Sequence, residues 1–468
     1  MRFLYDLHAL AAASLRTLPQ QVRMLKIVMS TRLYLREMGR PFLLLWIGHT
    51  VSLVGSSLTS FAMGIWIYQH TGKALDFAGM AVATTLPLVL LAPWAGTIAD
   101  RIDRRRVILV ADGAAALCTG VLAALLWRDS LDLWHLYLLG MVSTGAATFQ
   151  TPAYQALIAS VLPVDQVPRA SGLMGISGNM TGLLAPSLAA ALMGLAGLQS
   201  VVMIDLVTFC LGTVLALKVF SALAPLAIGE RPSGGFVRHV ASDFTEVLRF
   251  FKQNRPMLAL LGYFTLQSSL IGLVIMMLTP LVLSEHTELD LARVMTTGAL
   301  GGVLGSSLLV FTQRFSHRLM RTLVWADALL SAAILVAGLF RSIPVYLGCA
   351  LVANAAAAVA GGLALALWMR NIPTQKQGRV FAFIGLVSML AAPLVALAGG
   401  FLADEVFGSA LVGAGAFTSG IGGHFGVGNG AAMSLVFTLC GSSGLLVSLI
   451  ALAHPLVRSI DGLAADRR

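Results

Sequence analysis

Apolar stretches long enough to cross a bilayer follow one another along almost the whole chain, separated by short polar turns. Twelve can be read, near residues 42–68, 76–99, 107–127, 132–155, 170–197, 200–220, 257–283, 293–313, 322–340, 343–369, 380–402 and 430–455. At a rise of ~1.5 Å per residue, about 20 apolar residues span the hydrocarbon core. Phe77 to Ala99 carries no charged side chain, and Val107 to Trp127 carries only Asp112. The pattern predicts an all-α membrane protein with twelve transmembrane helices.

The polar positions are as ordered as the apolar ones. With the N-terminus inside, every Lys and Arg except Lys73, Arg128, Arg293 and Arg341 falls on the inner side, and none is left for a helix centre. This asymmetry predicts cytoplasmic termini and explains the net charge of +10 as a face turned toward anionic inner-leaflet lipid rather than nucleic acid. A chain of 468 residues that is 57% hydrophobic and 11% charged matches no soluble globular class.

Charge and composition also divide the chain. Residues 1–40 form a basic N-terminal cytoplasmic segment, in which Phe3, Leu4, Leu7 and Leu10 recur at helical spacing and suggest a short helix on the inner membrane surface. A first set of six helices occupies 41–220. The segment 221–256, with Pro225, Pro232 and Gly234-Gly235 followed by basic residues, reads as a central cytoplasmic loop. A second set of six occupies 257–455, and 456–468 is a cytoplasmic tail. Residues 403–429 form an outer loop with no Lys or Arg and many glycines; the plain reading is a flexible loop, the other a cover resting on the outer mouth.

The densest polar cluster is Gly96-Thr-Ile-Ala-Asp100-Arg101-Ile-Asp103-Arg104-Arg105-Arg106, which joins the second and third apolar stretches. This string resembles the signature loop of the major facilitator superfamily, whose pattern is Gly-x-Leu-x-Asp-Arg-x-Gly-Arg-Arg/Lys. Gly96, Asp100, Arg101, Arg104 and Arg105 fill its positions, while Ile98 and Asp103 depart from it. Asp103 in place of glycine is similar to the macrolide-efflux and enterobactin-exporter branch of drug–proton antiporters. Trp46-x-Gly48 with Ser52 and Gly55, Thr71-Gly72, Phe149-x-x-Pro152-Ala153 and Gly378-Arg379-Val380-Phe381 resemble the same branch. His49 stands where that branch usually has glutamine. Ala185-Pro186 with Ala189 and Ala190 softens the helix-5 antiporter motif, of which Pro186 is kept.

The resemblance implies two pseudo-symmetric six-helix bundles with substrate held between them. Ala111-Asp112 is echoed by Ala326-Asp327, and Ala185-Pro186 by Ala392-Pro393. It also implies a gate on the cytoplasmic side. Asp100, held by Arg104, would meet the backbone N–H groups near Gly378 and Arg379 at the start of the eleventh helix.

Three acids lie within spans, where a charge costs at least ~2.5 kcal/mol and so calls for a reason. Asp112 has Arg105 seven residues earlier on the same face and Asp327 occupies the matching place; both read as structural ties for inner loops or, as the alternative, as proton carriers. Asp205 has no basic neighbour in sequence and is the better candidate for carrying a proton. His49, Gln150, Asn179, Gln267 and Asn354 are polar residues within spans that either bond neighbouring helices or line the cavity. Cys118, Cys210, Cys349 and Cys440 read as apolar fillers. No metal-ligand spacing, phosphate loop or nucleophile elbow is present, so neither an enzyme nor a cofactor is expected.

Together these features imply a monomeric secondary transporter in a bacterial cytoplasmic membrane, exporting amphipathic small molecules by proton antiport and alternating access. A dedicated exporter of a siderophore or peptide product, a lysophospholipid flippase, and a scaffold or sensor that has lost transport remain as alternatives.

Overall fold

A computed structural model describes residues 39–163, 166–222, 247, 249–311, 318–372, 374–409, 425, 428–455 and 460. Among the described residues, each of the twelve predicted stretches falls, to within one or two residues at its ends, within a helix or one limb of a bent helix. In chain order the first four spans are Arg40–Thr71, Ala74–Arg101, Arg104–Trp127 and Leu133–Val161. A single helix, Val167–Ala222, supplies the fifth and sixth, broken at Gly197, whose φ of 71° is open chiefly to glycine. The seventh to tenth spans are Arg255–Leu283, Glu288–Phe311, Leu319–Leu339 and Ile343–Asn371. Thr374–Phe401 is the eleventh and Asn429–Ala453 the twelfth. By length and composition, eight helices among the described residues are apolar enough to cross a membrane, and a twelve-span fold fits the remainder.

Helix ends coincide with the turns seen in the sequence. Gly72, at φ 66°, ends the first span in the left-handed conformation and returns its N–H to Tyr68 O at 2.8 Å. Asp103 caps the third span by accepting from Arg105 N at 3.0 Å. The basic segment 1–38, most of the central loop and residues 461–468 lie outside the described residues.

The same packing scheme occurs twice. In the first half the second span packs on the fourth, the third on the fourth and sixth, and the first on the bent fifth–sixth helix. In the second half the eighth packs on the tenth, the ninth on the tenth and twelfth, and the seventh on the eleventh and twelfth. The halves meet along two equivalent seams, the second span on the eleventh and the fifth–sixth helix on the eighth.

Small residues set how closely the spans approach. A Cβ on Gly212 would lie 2.9 Å from Gly48 O, so the first and sixth spans cross backbone to backbone. Gly301 and Gly305, four residues apart, let the eighth span sit directly against the Leu351 and Ala355 carbonyls of the tenth. Without a hydrophobic force between helices in lipid, this close contact is the main source of cohesion. Large apolar side chains such as Val110, Leu117, Leu195 and Leu394 are instead exposed, as expected of helices that meet lipid.

The cores differ at the two ends of the molecule. At the end bearing the Arg104–Arg106 turn, here the basic end, the first half packs around Phe42, Ile108, Leu157 and Phe220, and the second around Phe251, Leu260, Trp368 and Phe383. Neither of these clusters contains a residue of the other half among those described. At the opposite end a single cluster crosses the divide, joining Ile65, Ala189 and Val201 to Met277, Leu291 and Phe437.

Candidate functional site

The arginines of the signature turn bind the ends of neighbouring spans. Arg104 Nη1 donates to Ala156 O at 2.9 Å, and Arg105 Nη1 donates to Phe220 O at 3.1 Å while its Nε lies 3.5 Å from Asp103. Both therefore sit near helix C-termini, where the backbone dipole favours a cation. The observed partner of Arg104 is thus the fourth span. The side chains of Asp100, Arg101 and Arg379, with Gly96 and Gly378, lie outside the described residues, and so does the expected contact between Asp100 and the eleventh span. That span begins at Thr374, so the N–H groups lacking an intrahelical partner belong to 374–377, one turn before Gly378.

The three intramembrane acids have separate surroundings. Asp112, half-buried, accepts from Gln150 Nε2 at 2.6 Å, joining the third span to the fourth. Its described partner is therefore an amide, while Arg105, expected on the same face, reaches Phe220 and Asp103. Asp327, 5% exposed, accepts from Tyr263 Oη at 2.7 Å. One helical turn further on, Gln267 Nε2 donates to Ser331 Oγ at 2.9 Å. These two rungs fasten the seventh span to the ninth. The pseudo-symmetric echo of Asp112 and Asp327 in sequence therefore does not extend to their partners.

Asp205 is the most enclosed, at 1% exposed. It accepts from Ser56 Oγ of the first span at 3.4 Å and Thr119 Oγ1 of the third at 3.1 Å. It borders a cavity of about 170 Å³ inside the first half, lined by the first, second, third, fourth and sixth spans. The counterpart cavity in the second half, about 110 Å³, is bounded by the seventh to tenth and twelfth spans and is almost wholly apolar, with Phe437 and Tyr346 in its wall.

The remaining polar candidates divide between packing and cavity. His49 stacks on Tyr154 with ring centroids 4.1 Å apart. Gln150 and Gln267 are used between helices as described, and the side chain of Asn179 lies outside the described residues. Asn354 borders the apolar cavity and donates to Ala350 O at 3.0 Å. Pro186 lies within the fifth span beside Ala185, Ala189 and Ala190, which are buried in the core shared by both halves. The four cysteines are unpaired, and among the described residues no group of three or more His, Cys, Asp or Glu could hold a metal ion.

One residue outside the candidates read from the sequence also joins the two halves. The stretch 403–429 begins with an ordered turn of π-helix, Leu402–Gly408, rather than loop. Its Asp404 accepts from the backbone N–H groups of Ala74 at 3.2 Å and Leu75 at 2.7 Å, the unpaired donors at the start of the second span. Burial raises the Asp404 carboxyl above its usual range, and the two N–H donors draw it back. Gly400 makes the approach possible, since a Cβ there would lie 2.7 Å from Leu75 Cα. Asn429 Nδ2 donates to Gly72 O at 2.9 Å, Gln69 bonds Glu288, and Tyr68 Oη meets Met433 Sδ at 3.8 Å. All of these contacts join the two halves at the end opposite the basic turn. The signal available in sequence was an acid placed just after an apolar span and before a glycine-rich stretch.

Known proteins share this architecture. The family model described as Major Facilitator Superfamily matches residues 45–396. Macrolide efflux protein A of Streptococcus pyogenes is 23% identical over 380 residues, covering 78% of this chain and 90% of that protein. Multidrug efflux pump Tap of Mycolicibacterium fortuitum is 25% identical over 375 residues, covering 78% and 89%. A bacterial homologue of the human lysosomal transporter Spinster, solved in an inward-facing, unoccupied conformation, aligns with a TM-score of 0.63 at 15% identity, over 92% of this chain and 98% of that one. The tandem packing scheme, the basic turn and a match over most of the chain converge on one conclusion: this is an integral membrane transporter, not an enzyme, and it belongs to the Major Facilitator Superfamily.

Proposed function

We propose that this chain exports amphipathic small molecules, of the drug or secondary-metabolite class, from the cytoplasm of a bacterial cell by alternating access driven by the proton gradient. The observation that carries the reading is the near full-length similarity to macrolide and multidrug efflux proteins. The division of the molecule supports it: a core shared by both halves at one end, separate cores at the other. With the basic end in the cytoplasm, that arrangement corresponds to a path closed outside and parted inside, the state that loads an exporter's cargo.

In this reading Asp404 on the Ala74–Leu75 N–H groups is the outer latch. Gly96, Asp100, Arg101, Arg104 and Arg105 facing Gly378 and Arg379 form the inner one, each closing while the other opens. Asp205 is the first candidate for ion coupling, because it borders a cavity and takes only hydroxyl partners among those described. Asp112 and Asp327 serve mainly to join helices. The predominantly apolar lining of the spans suits a bulky, partly apolar cargo. The protein works as a monomer surrounded by lipid.

The test is accumulation of a macrolide or a lipophilic cationic dye in a pump-deficient bacterium expressing the chain. Expression should lower the steady-state level, an uncoupler should restore it, and Asp100→Asn should abolish the effect at normal membrane abundance. Unchanged accumulation across a panel of amphipathic compounds would remove the export reading, and insensitivity to the uncoupler would remove the proton.

A further inference from the structure

We infer that the Asp205 cavity is a binding site for an alkali-metal cation, with sodium held by the Asp205 carboxylate and the hydroxyls of Ser56, Thr59 and Thr119. Its use as a coupling ion rests on the export reading above, with sodium taking the proton's place at Asp205; the binding itself does not.

The first argument is charge. Asp205 is enclosed within a span, and among the described residues no Lys, Arg or His lines its cavity. A buried carboxylate left uncompensated is too costly to keep and must take up a proton or a cation. The second is the lining. Hydroxyl oxygens converge on the carboxylate from the first and third spans, and the cavity continues past them along further Ser and Thr side chains. A carboxylate with neutral oxygens is the ligand set of a hard cation. One negative charge balances a monovalent ion, whereas a divalent ion would leave a net positive charge within the membrane.

The third argument is readiness. Thr59 is 4% exposed, lines the cavity and adds a third hydroxyl on the Asp205 carboxylate beside Ser56 and Thr119. Ser56 and Thr119 each have a second acceptor one turn back, Ser52 O at 3.1 Å and Ala115 O at 3.2 Å. When a cation sits on the carboxylate, each hydroxyl can turn its proton to that carbonyl and present a lone pair to the ion. A proton alone would need one carboxylate oxygen and no cavity. About 170 Å³ has room for an ion with several waters, at roughly 30 Å³ for each water.

The fourth argument is that the fold does not demand any of this. The counterpart cavity, bounded by the equivalent spans, is apolar and has Phe437 in its wall. In the first half, Gly55 lets the first span pack closely on the sixth beside Asp205, since a Cβ there would lie 2.0 Å from Thr208 Oγ1 and 2.8 Å from Asp205 Oδ1.

The test uses the purified full-length chain in detergent, melted by intrinsic tryptophan fluorescence while sodium chloride replaces choline chloride at constant ionic strength. The expected result is a saturable rise in Tm with sodium that is absent in Asp205→Asn and intact in Asp290→Asn. Thr59→Val and Thr119→Val should shift the sodium concentration for half-effect upward by about tenfold or more, the loss expected when a metal site is perturbed. Those two variants keep the test decisive if Asp205→Asn does not purify. A wild-type Tm indifferent to sodium, or a sodium effect that survives Asp205→Asn or both valine variants, overturns the site. The two readings separate in proteoliposomes. Efflux driven by a pH gradient in sodium-free choline buffer, without sodium binding, keeps the transporter and removes this site. Sodium binding through Asp205 with no cargo moved does the reverse.

Discussion

Asp404 and Leu75, far apart in sequence and in opposite halves of the molecule, are joined by a 2.7 Å hydrogen bond from the Leu75 N–H to the Asp404 carboxylate. With Ala74 N–H as the second donor, an acid at the end of the eleventh span caps the start of the second. The family's signature loop is expected to do the converse at the basic end, where an acid ending the second span meets the start of the eleventh. The same pair of helices would thus be fastened at either end by the same chemistry, a carboxylate on a helix N-terminus.

A carboxylate at a helix N-terminus contributes ~0.3–1 kcal/mol, rising to ~2 when partly buried. Asp404→Ala should therefore shift the equilibrium toward an open Gly72 end by about fivefold, taking ~1 kcal/mol for the lost cap. Spin labels placed on the outer ends of the first and eighth spans would report the longer distance. An unchanged distance distribution would show that the Gly400–Leu75 packing alone keeps this end shut.

The latch should respond to pH in a defined direction. Burial raises the Asp404 carboxyl in the closed form, so that form binds the proton more tightly than the open one, where the group returns to ~3.9. Closure is then favoured as the outer pH falls and loses that advantage as pH rises through the range just above the ordinary carboxylate value. The same spin-label pair, read across acidic pH, should lengthen as pH rises in the wild type and remain flat in Asp404→Ala.

Gly305 is a packing requirement of the eighth span, lying against the Ala355 carbonyl. Gly305→Val should lower folded protein in the membrane severely, whereas Gly302→Val, with open space around its position, should be tolerated. Fluorescence-detected size-exclusion chromatography of the two variants makes the comparison. Equal peaks would disprove the close-approach argument.

Tyr263 and Asp327 form one rung of the seventh–ninth span ladder. A hydrogen bond to a charged group contributes about 1.5–3 kcal/mol, and its loss leaves a buried acceptor unsatisfied. Tyr263→Phe should therefore lower Tm measurably. The double variant Tyr263→Phe/Asp327→Asn should cost less than the sum of the single changes, because both remove the same contact. Additive losses in melting experiments would mean the two residues act independently.

Orientation is testable without transport. In a background lacking the four native cysteines, Gly235→Cys should be labelled only after the inner face is made accessible, and Lys73→Cys from outside intact cells. The opposite pattern would invert the topology drawn from the Lys and Arg distribution.

The sequence by itself determined the helical membrane architecture, because an apolar stretch in lipid has to satisfy its backbone within its own helix. It also placed the gaps between stretches, where the structure has Gly72, Gly197 and Asp103 ending, breaking and starting helices by local chemistry. The family followed from the Gly96–Arg106 pattern, a local string. What only the tertiary structure decided was partnership. In sequence, Arg105 stood on the face of Asp112 and Asp205 stood alone. Once packed, the described partner of Asp112 is Gln150 of the fourth span, and Asp205 lies among hydroxyls from the first and third. In sequence Asp404 is one acid at the end of a span; its contacts exist only because the second span brings Ala74 and Leu75 to it. Periodicity specifies which residues share a helix face, whereas a buried polar group takes its meaning from the neighbouring helix, whose register is set by close packing at glycines such as Gly48, Gly212 and Gly400.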